Sequence, residues 1–341
     1  MGFEETFTAY LVGDKRKDPK NNMCHFEYKK LKNDLNFCRH HRHIEASIDS
    51  HGDENPEDDL NQIPPHEPCH RCEGIFSELT TEATKMADYI SLRVRKLVHL
   101  HFTPGFRRFL WCLFRYFKDD QEALLRKGWI LIQFMIMNAI ALRKILKKYD
   151  KVHESASGMN FKSKLQAKHL DVMQSPWLIE LVAFYMNLKG SNSLTSDELF
   201  GQLSYDLNIS DEESLLTLTL LGSEKLEYSL TCPICLDIVF QPYSLSCGHI
   251  FCKSCACLAA GVLIIQGFKF ANQDSKCPVC RESGVYAKSV CMSELGLLLQ
   301  RRRGICRYKD GFKKRRMEER EKILIQTKEY WELQTSYVMG L

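Results

Sequence analysis

Apolar residues recur every three or four positions through much of the first half of the chain, a period that predicts helices. Leu79, Ala83, Met86, Ile90, Val94 and Leu97 form one such stripe, interrupted by Thr103, Pro104 and Gly105. From about residue 120 to 151 the text is apolar nearly all round in its middle, which places that helix at the centre of a bundle. Its longest apolar run, residues 129–142, is shorter than a bilayer needs and contains Gln133 and Asn138, so it reads as a core helix and not as a membrane span. Two helices are expected over residues 1–38, broken near 14–21, with Phe3, Phe7 and Leu11 on one face of the first. Short helices near 159–174 and 176–188 would close this domain.

Polar stretches punctuate the pattern. Residues 39–68 are polar, acidic and interrupted by Pro, as a loop is. Residues 190–213 are rich in Ser, Asp and Glu and read as a linker, with 215–221 able to add a strand or helix. Apolar helical text resumes at 295–299. In the last helix Ile323, Tyr330 and Tyr337 lie beside Leu324, Trp331 and Val338 at intervals of seven, a stripe suited to packing within the chain or on a second copy of it. Packing within the chain is the expected use, a homodimer the alternative. The result is a mainly α chain: a helical bundle over 1–170, a closing helix and acidic, Ser-rich linker over 171–226, a cysteine-rich α+β module over 227–285 and a helical tail over 286–341.

The 341 residues are enough for two domains with cores of their own. A net charge of +4 is too small for a general nucleic-acid binder, and no nucleic-acid partner is expected. The N-terminal text has neither a basic nor an apolar leader region, so no signal peptide is expected and a reducing cytoplasmic or nuclear setting is favoured.

Fifteen cysteines concentrate attention on one segment. Cys232 and Cys235, Cys252 and Cys255, and Cys277 and Cys280 are each two residues apart, and Cys247 with His249 makes a fourth pair. A single such pair is weak evidence; four in fifty residues make a structural zinc module, because closed tetrahedral sites of thiolate and imidazole are what zinc prefers. The order of these eight resembles the RING finger family. The resemblance implies two zinc ions, the first held by Cys232, Cys235, Cys252 and Cys255 and the second by Cys247, His249, Cys277 and Cys280. It also implies a ubiquitin ligase that grips a ubiquitin-charged conjugating enzyme and positions it for transfer to a substrate lysine, with no covalent ubiquitin intermediate. Ile234 and Pro278 match the family's apolar contacts, and Arg281 its cationic linchpin, a role suited to a planar guanidinium. The family's usual Trp after the third pair is missing, and Leu258 or Val262 stands in its neighbourhood. Cys257 reads as a small buried residue and not as a catalytic thiol.

A second candidate site is basic. On a helix Lys144, Lys147, Lys148 and Lys151 fall at i, i+3, i+4 and i+7, so four ammonium groups line one face with few acids between them. With Tyr28 and Lys32 earlier in the chain, this pattern resembles the SPX domain, over about residues 1–170. The resemblance implies that these six residues bind an inositol polyphosphate or pyrophosphate. An SPX-like part followed by a RING, with the motifs LTCPICLD, GHIFC, QSPWLIELVAF and KEYW, resembles the plant ligases of the nitrogen limitation adaptation, or benzoic-acid-hypersensitive, type. That resemblance implies membrane phosphate transporters as substrates and recruitment to the plasma membrane. The alternative from another class is a non-catalytic, inositol-phosphate-sensing scaffold with a structural zinc module.

Two weaker features remain. Cys69 and Cys72, near His66 and His70, and Cys38, near His40, His41 and His43, raise the question of a third metal, against the plainer reading of a His-rich loop. The basic run 313–316 reads equally as a nuclear signal or a solvated helix face.

Overall fold

The structure, a computed structural model, describes residues 26–48, 72, 74–99, 118–168, 170–189, 204–209, 214–219, 225–305 and 309–339. In chain order come helices α1 (Tyr28–Ile48), α2 (Ile75–His99), α3 (Lys118–His153), α4 (Ser157–Ala167) and α5 (Pro176–Lys189). Strands β1 (Ser204–Ile209), β2 (Ser214–Thr219), β3 (Lys225–Ser229), β4 (Pro242–Ser244) and β5 (Ile250–Cys252) follow. Helix α6 (Lys253–Ala259), strand β6 (Val290–Cys291) and helices α7 (Ser293–Ile305) and α8 (Lys309–Met339) complete the described chain. The architecture is the mainly α one expected, with a small cysteine-rich α+β module and a helical C-terminal part. The expected helix bearing Phe3, Phe7 and Leu11 and the break at 103–105 lie outside the described residues.

Two compact units are distinguished, one of residues up to 93 with 133–173, the other of 94–132 with 174 onward. In the first unit Leu79, Ala83, Met86 and Ile90 are all buried, as their spacing on α2 requires. Phe76 lies 4.7 Å from the ring of Tyr149 and 4.8 Å from that of Phe161, joining α2, α3 and α4. Asn138 of α3 is fully buried, donating to the Phe134 carbonyl at 2.8 Å and accepting the Phe26 N–H at 3.1 Å. The polar residue that argued against a membrane span thus satisfies the backbone just ahead of α1. Glu122–His153 is long and apolar enough to cross a membrane by length and composition, the one such helix among the described residues. Of its most apolar window 72% is buried inside the protein.

The start of α4 explains an acid among the lysines. Asp150 of α3 accepts the N–H groups of Gly158 and Met159 at 2.6 and 3.1 Å, satisfying two donors that the Ala156 cap has no side chain to reach. A Cβ on Gly158 would meet the Leu146 carbonyl oxygen at 2.6 Å, so only glycine admits this approach.

In the second unit α5 is buried almost all round and packs on α7. Glu180 of α5, 1% exposed, accepts the N–H of Glu294 at 2.7 Å and that of Leu295 at 3.1 Å, capping α7 from a different helix. Burial pushes its carboxyl up to about 8, against the downward pull of the Glu294 N–H. Asn187 donates to the Glu294 carbonyl and carboxylate at 2.9 and 2.8 Å, and Arg301 donates to the Asn187 carbonyl at 3.0 Å.

Several expectations are corrected. The loop predicted from Arg39 is helical as far as Ile48, because polar text without Gly or Pro does not stop a helix. The helix at 176–188, expected to close the N-terminal bundle, is α5 and packs on α7 of the second unit. Across the predicted linker and its end, β1, β2 and β3 form an antiparallel meander with Leu207 opposite Leu216 and Leu218 opposite Leu226, and of the strand or helix left open at 215–221 the strand is found. Alternate burial of Ser214, Leu216 and Leu218 is what makes 214–219 a strand. Finally, the α8 stripe is packed only in part: Ile323 and Tyr330 are half-buried, while Leu324 and Trp331 are 70% and 62% exposed.

Candidate functional site

The first and last zinc knuckles are built the same way. In the first, the Cys232 N–H donates to the Asp237 carbonyl and the Leu236 N–H returns to the Cys232 carbonyl at 2.9 Å. In the last, the Cys277 N–H donates to Glu282 and the Arg281 N–H returns to Cys277 at 2.9 Å. Such a tight reversal needs a left-handed residue after the second cysteine, and Leu236 and Arg281 have φ of 56° and 61°. Between them β4 and β5 form a hairpin turned by Gly248, with φ 86°, which brings Cys247 and His249 to one side. The aromatic rings of Tyr243, Phe268 and Tyr286 fill the space beneath, with centroids 5.0 and 5.8 Å apart along that series.

The eight predicted donors assemble into the two predicted groups. Cys232, Cys235, Cys252 and Cys255 have their sulfurs within 4.8 Å of one another, as do the donor atoms of Cys247, His249, Cys277 and Cys280. His249 presents Nδ1, 3.4 Å from Cys247 Sγ and 3.7 Å from Cys277 Sγ. Two sets of four soft donors in tetrahedral number fit two structural zinc ions and leave no open position for chemistry. The thiols show why a dication suits them. Hydrogen bonds from Cys252 and Cys255 hold Cys232 far below the ordinary thiol range. The same contact pushes Cys252 far above it, and Cys255 is pushed up to about 12. A bound dication favours the thiolate form of every sulfur that it contacts.

The structure adds a residue that the sequence reading missed. Arg315 of α8 sends Nη2 to within 3.4 Å of Cys252 Sγ and 3.6 Å of Cys235 Sγ. Its Nη1 donates to the Ile238 carbonyl at 2.6 Å and pairs with Asp237 at 3.2 Å, while the guanidinium lies 5.5 Å over the Phe240 ring. The basic run 313–316 is therefore in part a brace for the first metal group. Further along α8, Glu319 accepts from Gln241 at 2.6 Å and Gln326 accepts the Ile264 N–H at 3.1 Å.

Around the knuckles, Ile234 is 38% exposed, and Pro278 and Arg281 are exposed. Leu258, where the family has an aromatic residue nearby, is 72% exposed on α6, and Val262 is half-buried. Cys257 is fully buried, its thiol pushed up to about 11 by that burial, which suits packing and not nucleophilic work.

Of the basic site, α3 places Lys144, Lys147 and Lys151 at exposed positions, while Lys148 is half-buried. Lys148 donates to the Lys32 carbonyl at 3.1 Å and to Asn36 Oδ1, so α1 and α3 bring Lys32 and Lys148 together. Tyr28 is half-buried at the first residue of α1. Asp150, the acid within the lysine run, is directed to the start of α4, where it accepts the N–H groups of Gly158 and Met159.

A RING-type zinc-finger family model matches residues 232–278. Across the whole of both chains the sequence is 45% identical to a probable E3 ubiquitin-protein ligase BAH1-like of Arabidopsis thaliana. Over the full length of each pair it is also 43% identical to a probable E3 ubiquitin-protein ligase BAH1-like 1 of Oryza sativa subsp. indica and 39% to the E3 ubiquitin-protein ligase NLA of Arabidopsis thaliana. No solved structure matches the chain. End-to-end likeness at these levels, joined to two complete cysteine and histidine ligand sets, means that the chain belongs to the BAH1-like and NLA family of RING-type E3 ubiquitin-protein ligases.

Proposed function

We propose that this RING-type ubiquitin transferase docks its ubiquitin-conjugating enzyme on Ile234 and Pro278 and uses Arg281 to hold the charged ubiquitin in a reactive pose. The observation that carries this is the knuckle geometry: Arg281 has a left-handed backbone fixed by its N–H bond to Cys277, and its side chain is exposed. A cation anchored at a fixed backbone position, near exposed apolar residues, suits a linchpin between two bound proteins. Ile234→Ala removes the apolar contact and abolishes conjugating-enzyme binding. Arg281→Ala leaves binding nearly intact and slows ubiquitin discharge to lysine roughly ten- to a hundred-fold, the worth of one positioned charge-assisted hydrogen bond. Single-turnover discharge assays measure both, and full activity in both variants rules the assignment out.

The helical unit is assigned to ligand sensing. Tyr28, Lys32, Lys144, Lys147, Lys148 and Lys151 bind an inositol pyrophosphate, and the ligand controls capture of membrane phosphate transporters, which are the substrates on this reading. Support comes from the exposed lysines of α3 and from the approach of Lys148 to Lys32. Capture of a membrane substrate places a cytoplasmic pool of the protein at the plasma membrane. The exposed Leu324 and Trp331 of α8 favour a homodimer, which light scattering of the wild type and a Leu324→Glu, Trp331→Glu variant tests.

A further inference from the structure

Cys38 of α1, Cys72 in the turn leading into α2, and His153 at the end of α3 lie far apart in the chain and together in the first unit. Their two sulfurs and one ring nitrogen are all within 4.8 Å of one another. The Cys38 and Cys72 sulfurs are 3.2 Å apart, well beyond the roughly 2.05 Å of a disulfide bond. Two thiolates on one tetrahedral zinc, with bonds of about 2.3 Å, span roughly 3.8 Å, a separation that small side-chain rotations reach. Cys72 is 1% exposed, and Cys38 is half-buried.

His153 makes the trio specific. Its Nδ1 is 3.1 Å from the carbonyl oxygen of Tyr149, which can only accept, so Nδ1 carries the proton and donates it. The lone pair is then on Nε2, which is buried and has no hydrogen-bond partner. The ring is fixed by stacking on Tyr149, with centroids 4.2 Å apart. An imidazole that donates its Nδ1–H to a backbone carbonyl, keeps a buried Nε2 without a hydrogen-bond partner and brings a ring nitrogen within 4.8 Å of two sulfurs has the features of a metal-ligating histidine.

We propose that Cys38, Cys72 and His153 bind a zinc ion, separate from the two of the RING. A soft set of two thiolates and one imidazole selects zinc over calcium or magnesium. Binding releases the two thiol protons to solvent and places Nε2 and both sulfurs on the metal, with one coordination position left for a fourth donor. The ion joins the helices α1 and α3 and the entry to α2. It thereby fixes the angle between the two helices that carry Lys32 and Lys148. The site does not depend on the anion-sensing reading, since none of its ligands belongs to the lysine surface. Cys69, His66 and His70, raised by the sequence as partners of Cys72, lie outside the described residues, as do the side chains of His40, His41 and His43.

The test is a metal count on the full-length protein, purified in reducing buffer with zinc present. Elemental analysis is expected to give three zinc ions per chain in the wild type and two in Cys38→Ser and in His153→Gln. Cobalt substitution supplies a second readout. The cobalt d–d and thiolate charge-transfer bands should lose the contribution of one centre in His153→Gln and keep that of the RING. Two zinc ions in the wild type overturn the proposal whether or not the variants fold. So does a third ion retained in His153→Gln, or a mass two hydrogens low on a peptide pair linking Cys38 to Cys72.

Discussion

The RING module and the α1–α4 helical unit hold themselves together by different means. In the RING the backbone groups of the turns are tied over short distances: Leu236 to Cys232, Arg281 to Cys277, Gly248 to Leu245. Its apolar core is small, resting on Phe251, Tyr286, Phe240, Phe268 and a few aliphatic residues such as Leu230, Val239 and Leu245. In the helical unit the stripes of α2 and α3 supply a continuous core, and polar ties span long separations, as from Asn138 to Phe26 and from Lys148 to Lys32. A module with little core and many short-range ties needs an ion to outweigh its chain entropy; a bundle of long amphipathic helices does not.

Chelation should break this contrast open most widely. Removal of zinc from the RING forfeits roughly 10 to 16 kcal/mol of the kind measured for structural fingers, more than a core of that size supplies. A strong chelator should therefore abolish ubiquitin transfer and the near-ultraviolet signal of Tyr243 and Tyr286, while the far-ultraviolet helical signal largely persists. Complete loss of helix with the RING would mean that the helical unit has no stability of its own.

The opposite perturbation starts from the bundle. Asn138→Ala strands the buried N–H of Phe26 and deletes a bond to Phe134, a cost of about 1 to 3 kcal/mol. Denaturant melts should show the helical transition moving down while the zinc count of the RING stays at two per chain. Arg315→Ala does the reverse: it removes the donor to Cys252 and Cys235, and the first RING metal should bind roughly 10- to 100-fold more weakly, as read by competition with a zinc indicator. Smaller still is the effect of Lys147→Ala, Lys148→Ala, Lys151→Ala on folding; its expected readout is calorimetric loss of inositol pyrophosphate binding. Equal affinity in this variant and the wild type would remove the lysine surface.

The same contrast governs what could be read from the sequence. The eight RING ligands were legible because each pair closes a local knuckle, so spacing alone carries the geometry. Arg315 was not, since it acts on sulfurs 63 and 80 positions away and sits in a basic run that looks like a solvated face. His153 likewise meets Cys72 only through the packing of three helices. The stripes of α2 and α3 were legible from period. The meander of β1, β2 and β3 was not, because the polar text of β1 resembles a linker and the leucines of β2 suit a helix or a strand equally. The exposed face of α8 shows the limit of reading a seven-residue apolar interval as packing within the chain: periodicity identifies a stripe, and says nothing of what covers it.

Glu180 gives the finest test, because it belongs to the unit containing the RING yet is neither a ligand nor a contact for one. Its carboxyl is raised to about 8 in the folded chain, chiefly by burial, while an unfolded glutamate titrates near 4.5. Between those values the folded protein holds a proton that the unfolded chain releases. Stability from this group is therefore fully present below about pH 4.5 and is lost as pH rises through about 8. One pKa unit corresponds to about 1.4 kcal/mol, so the whole window is worth on the order of a few kcal/mol, a net figure that already includes the two N–H bonds favouring the charged form. Zinc ligation runs the other way, since thiolates bind metal more tightly as pH rises. The comparison is therefore made at saturating zinc, as the difference between wild type and Glu180→Gln. The amide introduced by that substitution cannot ionise, and its NH2 group is turned toward the Leu295 N–H, donor against donor. The variant should therefore be less stable at pH 6 yet lose less between pH 6 and 8.5 than the wild type does. Parallel melting curves for the two proteins across that range would show that the α5–α7 cap is ionised throughout, and that its two backbone bonds, not its burial, set the state of the carboxyl.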